Sequence, residues 1–163
     1  MSDPAENHDL ATLRALIRSI DFGILTSIAL DGTLHSRPMS TNGDVEFDGD
    51  LWFFTYGSAH KVEEIQRNPQ VSVGFADPEQ QRFVTMSGRA ELVRDRGKIE
   101  QLWKPSLKAW FPQGTSEPDL ALLKVDVERA EYWDAPSSPV ARAIAVVKGA
   151  PAQAGEHRRL ELG

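Results

Sequence analysis

Ser58, His60 and Lys61 follow a run of apolar and aromatic residues and stand where a segment of helical spacing begins. A helix N-terminus already carries partial positive charge from N–H groups without acceptors. Two potentially cationic side chains there are unfavourable unless something negative meets them. A bound anion would do so: the free N–H groups, the Thr55 and Ser58 hydroxyls and the Lys61 ammonium can converge on one. Gly57 would let the backbone come close. With Ser58 as N-cap, its hydroxyl reaches the Lys61 N–H, where a self-contained capping box would carry Glu or Gln. The alternative is that Glu63 and Glu64 balance the helix dipole while Lys61 points into water. The local pattern leaves both open, and it lacks the long Gly-rich loop and Gly-Lys-Ser/Thr ending of a P-loop.

A second group is "SRPMS", residues 36–40. Pro38 inside a strand removes a ladder donor and belongs at an edge or bulge. It also drives Arg37 toward an extended conformation. Unpaired strand backbone here could hydrogen-bond a planar heterocycle, with Arg37 as a charge-assisted donor and Met39 as a soft apolar contact. The plainer role for Arg37 is a solvated edge arginine that blocks strand pairing. The third group is aromatic. Most of these rings belong in a core, but Trp110 and Phe111 in "KAWFPQG" adjoin a Pro/Gly loop, so at least one should be incompletely buried.

The elements that must position these groups are legible from spacing. Leu10, Leu13, Leu16, Ile17 and Ile20 make one amphipathic helix after a loose tail, residues 1–8. "FGILTSIAL", Asp31-Gly32 and "TLHSRPMS" form a hairpin, and "VEF", "DGD" and "LWFFT" suggest a second. A helix from about Ser58 to Asn68 stops at Pro69. "VSVGF" and "RFVTMSGRAELV" are strands, the latter with a bulge or bend at Gly88. Asp95 caps a helix broken near Pro105, and "LALLKVDVERAEYW" is a strand with one wet face. "SSPVARAIAVVKG" reads as a short helix capped by Ser137 or Ser138 and closed by Gly149. Residues 9–149 then form one domain, and residues 150–163 a flexible tail. Strands joined mostly by hairpins predict a mainly β fold, an antiparallel barrel with peripheral helices.

The chain has 163 residues, 18 basic and 24 acidic side chains and a formal charge of −6. That excludes a general nucleic-acid surface, which needs a basic face. There is no cysteine, so disulfides, thiolate metal sites and cysteine nucleophiles are absent. No apolar run approaches a membrane span and the N-terminus lacks a signal-type core, so the expectation is a soluble cytoplasmic protein. No Ser–His–Asp ordering or metal-spaced His pair stands out. His8 and His157 fall in expected tails and His35 on a strand surface, so no catalytic residue and no metal ligand is assigned.

"SRPM", "LWFFT", Ser-x-x-Lys in "SAHK", "NPQVSVGF" and "SGRAELV", in this order, resemble the FMN-binding split-barrel proteins of the pyridoxamine 5′-phosphate oxidase-like superfamily, and within it the general stress protein 26 branch. The resemblance covers roughly residues 10–148. It implies a six-stranded split barrel and a homodimer with FMN in clefts at the interface. By that resemblance Arg37, Pro38 and Met39 run beside the isoalloxazine ring. Phe54 and Thr55 lie near the ribityl chain and phosphate, and Ser58, His60 and Lys61 form the phosphate turn. Trp110 reaches the flavin from the partner subunit. His60 stands where the true oxidases tend to carry Arg. Phe83 stands where they carry Gln, and "EYWDAPSS" lacks their arginine, so oxidation of pyridoxamine phosphate is not expected. The implied function is an FMN-binding flavoprotein, as an oxidoreductase of unidentified substrate. The alternatives are a non-catalytic flavin-storing or sensing protein, or a split barrel holding haem or a deazaflavin.

Overall fold

A computed structural model describes residues 4–41, 47–135 and 156–162. Helix α1 (Pro4–Ile17) leads into β1 (Phe22–Ile28) and β2 (Leu34–Ser40), followed by β3 (Asp50–Tyr56), α2 (His60–Arg67), β4 (Gln70–Asp77) and β5 (Arg82–Val93). Helix α3 (Arg96–Leu102) and 3-10 helices at Pro105–Ala109 and Gly114–Ser116 precede β6 (Leu120–Asp134) and β7 (Glu156–Glu161). All pairings are antiparallel. The strand order is β2-β1-β4-β5-β6-β3, with β7 also on β6.

Among the described residues the ladder does not close on itself: β2 and β3 are its two ends, and each has one unpaired edge. Yet one core cluster holds Leu25, Met39, Phe53, Val73, Met86 and Val125, contributed by all six strands of the path. The sheet is therefore curled around a common interior, the split-barrel form. Leu13, Leu16 and Ile20 bring α1 and the turn after it onto that core, with Leu10 and Ile17 at its margin, as their spacing requires.

Most predicted elements stand. Gly32 takes φ 86° in the β1–β2 turn, and Asp31 Oδ1 accepts from the Thr33 amide and hydroxyl at 3.0 and 2.6 Å. Pro38 sits on an end strand, where a missing N–H costs no ladder bond. Asp95 caps α3 by accepting from the Gly97 and Lys98 amides. The register slips between Ser87 and Gly88, so that Glu128 is the extra residue of a bulge. A Cβ on Gly88 would run into the Asp126 carbonyl. Gly88→Ala is therefore expected to cost about 1–3 kcal/mol of stability, the scale of overpacking. A thermal melt checks this, and an unchanged Tm would show that the bulge can open freely.

Three expectations are corrected. The tail assigned to residues 1–8 is helical from Pro4. Part of the tail assigned to residues 150–163 is β7, which pairs with residues 129–134 of β6 beyond the bulge. The second hairpin is not seen among the described residues: Phe47 lies outside any strand, the ladder partner of β3 is β6, and residues 45–46 lie outside the described residues. The helix expected over residues 137–149 lies outside the described residues.

Candidate functional site

The gap between the two end strands holds a cleft of about 200 Å³. Pro38, Met39 and Ser40 of β2 form one wall, and Phe54, Thr55 and Tyr56 of β3 the other. Ala59 and Lys61 close one end, and Trp110 with Phe111 the outer side. The alternation of β3 explains how one strand serves both core and cleft. Phe53 faces the main interior, whereas Phe54 packs in a second cluster with Ile99, Leu102, Leu107 and Phe111. That cluster is an aromatic scaffold. Phe54 meets Trp103 edge-on at 5.6 Å, and Tyr56 meets Phe111 at 5.0 Å. The Tyr56 hydroxyl donates to the Trp110 carbonyl at 3.2 Å. Trp110 is thus held by its backbone while its side chain stays free; the residue is 59% exposed, against 7% for Phe111.

Lys61 is the second residue of α2, whose N-cap is Ala59. Its ammonium does not point into water. It turns into the cleft and lies 3.6 Å from Met39 Sδ. Among the described residues no carboxylate lies within ion-pair distance of it. Burial, and then the Arg37 charge, hold its pKa below the ordinary lysine value. Glu64, which could have balanced it, is engaged elsewhere. The Ser27 hydroxyl donates to Glu64 Oε2 at 2.8 Å, and Arg37 Nη2 lies 3.2 Å from the same oxygen. Arg37 Nη1 also donates to Ser27 Oγ at 2.8 Å and to the Leu25 carbonyl at 3.3 Å. His35 Nδ1 is 3.3 Å from Glu64 Oε1.

Six of the nine residues singled out from the sequence therefore converge: Pro38, Met39, Phe54, Thr55, Lys61 and Trp110 line one cleft. Three are placed otherwise. Arg37 turns inward to Glu64 instead of toward the cleft. Ser58 is not the N-cap: its hydroxyl donates to Asp119 Oδ2 at 2.5 Å, and its amide to the same oxygen at 3.2 Å. The hydroxyl bond outweighs burial and, with Arg94 at 3.8 Å, keeps the Asp119 carboxyl below the usual range. His60 is exposed at the first position of α2. Gly57 makes room for the Arg94 guanidinium, which a Cβ there would strike. Sequence reasoning missed Phe22 and Tyr56 as cleft walls. Their place as aromatic residues at strand ends was the available signal.

A planar, mostly apolar guest with one anionic end fits this arrangement. The walls are flat and hydrophobic, two strand edges offer unpaired backbone, and one desolvated ammonium lies at the end. The cleft is smaller than the roughly 300–1,000 Å³ usual for ligand sites.

The model of a family described as "Pyridoxamine 5'-phosphate oxidase like" matches residues 8–155. General stress protein 26 of Bacillus subtilis is 30% identical over 113 residues, 64% of this chain and 74% of that protein. The solved structure of a general stress FMN/FAD binding protein from Xanthomonas citri is 26% identical, covers 81% of this chain and 92% of its own, and superposes with a TM-score of 0.69. A putative general stress protein 26 from Jannaschia sp. CCS1 shares 22% identity over 94% of this chain and 99% of its own, with a TM-score of 0.75. At that identity it supports the fold alone.

Proposed function

Because the chain belongs to the pyridoxamine 5′-phosphate oxidase-like family, as a member of the general stress protein 26 type, we propose that it is an FMN-binding flavoprotein with its cofactor in the β2–β3 cleft. The observation that carries this reading is the Lys61 ammonium, partly buried at the opening of α2 and matched by no carboxylate among the described residues. A phosphate there would meet that charge and the amides of the first helical turn. Met39, Pro38 and Phe54 would flank the ring, and Trp110, which lines the cleft of its own chain although the resemblance placed it on the partner's flavin, would cover it. The flavin supplies electron transfer at the isoalloxazine; the protein positions it, excludes water and sets the local charge. Similarity to a general stress FMN/FAD binding protein supports a flavin.

The colour of the purified protein, with mass spectrometry of what denaturation releases, tests the cofactor. A released FMN supports the reading. A haem or deazaflavin, or a colourless protein that ignores added FMN, ends it. Anaerobic addition of NADH or NADPH then separates an oxidoreductase from a storage or sensing protein. Bleaching of the flavin band at a useful rate is the expected result for the oxidoreductase.

The proposal includes a homodimer with FMN at the interface. The small cleft needs a second wall, and the outer sheet face beside it is apolar. Phe22 and Ile24 are about half exposed there. Ile24 pairs with Pro38 on one side and with Gly74 on the other, and Phe83 pairs with Trp133 further along. Phe22 and Pro38 carry that face into the mouth of the cleft. Ile24→Glu is expected to convert a dimer into a monomer in sedimentation and to lower FMN affinity at least tenfold. A monomeric wild-type protein that retains FMN would overturn the two-chain site.

A further inference from the structure

Beyond the cleft lies a larger cavity of about 730 Å³, between the end of α1, the start of β3 and the 3-10 helix at Pro105–Ala109. It shares Phe22, Ser40, Leu107 and Trp110 with the cleft, so the two spaces meet across a wall that carries two exposed aromatic side chains. Its volume is that of a complete small-molecule site. Its charge runs against the acidic balance of the chain. Among the described residues Arg14, Arg18 and Lys104 line it, with Asp21 and Asp50 as the carboxylates. Asp50 is already matched by Lys124 at 3.7 Å. The Arg14 side chain donates through Nε to the Phe47 carbonyl at 3.0 Å, which orients its guanidinium without neutralising it. Arg18 has no partner among the described residues.

We propose that this cavity binds an aromatic carboxylate, its ring against the Phe22–Trp110 wall and its carboxylate at Arg14 and Arg18. Guanidinium groups match a carboxylate by paired hydrogen bonds, and apolar walls with a few polar anchors are the usual composition of a ligand site. The site itself stands on the cavity; its role as the substrate side of a flavin centre rests on the functional reading above.

Benzoate and its neutral isostere benzamide are the probes, and Arg18, exposed in the turn after α1, is the residue to change. Titrations of FMN-loaded protein by flavin difference absorbance, and of flavin-free protein by tryptophan fluorescence, are expected to show benzoate binding at least tenfold tighter than benzamide. Arg18→Glu is expected to remove at least tenfold of benzoate affinity, Arg18→Lys to retain most of it, and both to leave FMN affinity within twofold. If FMN binds but benzoate does not, or binds no better than benzamide, or is indifferent to Arg18→Glu, the inference fails and the cofactor assignment survives. If FMN does not bind while flavin-free protein still takes benzoate through Arg18, the cofactor assignment fails and the cavity site stands.

Discussion

Lys61→Ala is expected to weaken FMN binding by about 1–3 kcal/mol, the scale of a lost charged hydrogen bond, with little loss of fold stability. The two halves of this expectation come from one geometry. In the flavin-free chain the ammonium is partly desolvated, faces the Arg37 charge and, among the described residues, has a thioether, Met39 Sδ at 3.6 Å, as its hydrogen-bonding contact. Removing it deletes no ion pair among the described residues, so the fold loses little. In the complex the same ammonium would meet the phosphate, and its loss appears in full. Isothermal titration of wild type and variant with FMN, beside a denaturant melt of each, reads both quantities. Riboflavin sharpens the test. Without a phosphate it should bind wild type and Lys61→Ala alike. Equal FMN affinities for the two proteins would remove the phosphate from this end of the cleft.

The pH dependence follows with its sign. Burial and Arg37 lower the Lys61 pKa in the flavin-free protein, so the ammonium is lost at a lower pH than for a free lysine. FMN affinity should therefore fall as pH rises toward the ordinary lysine range. In Lys61→Ala that alkaline decline should be absent.

The cleft walls were legible partly from local chemistry and partly from the family resemblance. Pro38 announced an end strand, the Thr55 hydroxyl stood near the start of α2 and Trp110 adjoined a Pro/Gly loop, whereas Phe54 was placed at the site only by the resemblance. Side-chain direction was not legible, because it depends on partners distant in sequence. Arg37 looks like an edge arginine or a ligand donor until Glu64, 27 residues later, is placed beneath it. Ser58 has the chemistry of an N-cap, but Asp119, 61 residues later, takes its hydroxyl. The second hairpin misled for the same reason. An Asp-Gly turn before "LWFFT" is a sound hairpin signal, but β6 is long enough to pair with β5 along its length and with β3 over residues 120–126. β3 pairs with β6 only as far as Asp126, so the edge of β6 opposite β5 is open at residues 129–134 and takes β7, which nothing in the charged segment "EHRRLE" advertises.

Glu64→Ala is expected to cost about 3–5 kcal/mol of stability, the range for removing one partner of a buried ion pair. The Glu64 side chain is 10% exposed and that of Arg37 14%, and Ser27 between them is buried. Without the carboxylate, the Arg37 guanidinium and the Ser27 hydroxyl lose their shared acceptor. The loss should reach the cleft, because this pair ties α2, which carries Lys61, to β2, which carries Pro38 and Met39. FMN affinity should fall in Glu64→Ala even where the protein is still folded. Arg37→Ala combined with Glu64→Ala should cost less than the sum of the single changes, since the second removal relieves the charge left by the first. Acid supplies an independent check. Burial alone would raise the Glu64 pKa, but hydrogen bonds from Ser27 and His35 and the Arg37 charge outweigh it and hold the value below 4.5. A depressed folded-state pKa contributes stability that is present above the unfolded value and lost as pH falls through the folded one. The stability gap between wild type and Glu64→Gln should accordingly be constant near neutral pH and narrow below about pH 4.5. A gap that stays constant through that acid range would mean that the carboxylate is not held as an anion by Arg37, and α2 and the β2 wall of the cleft would need another tie.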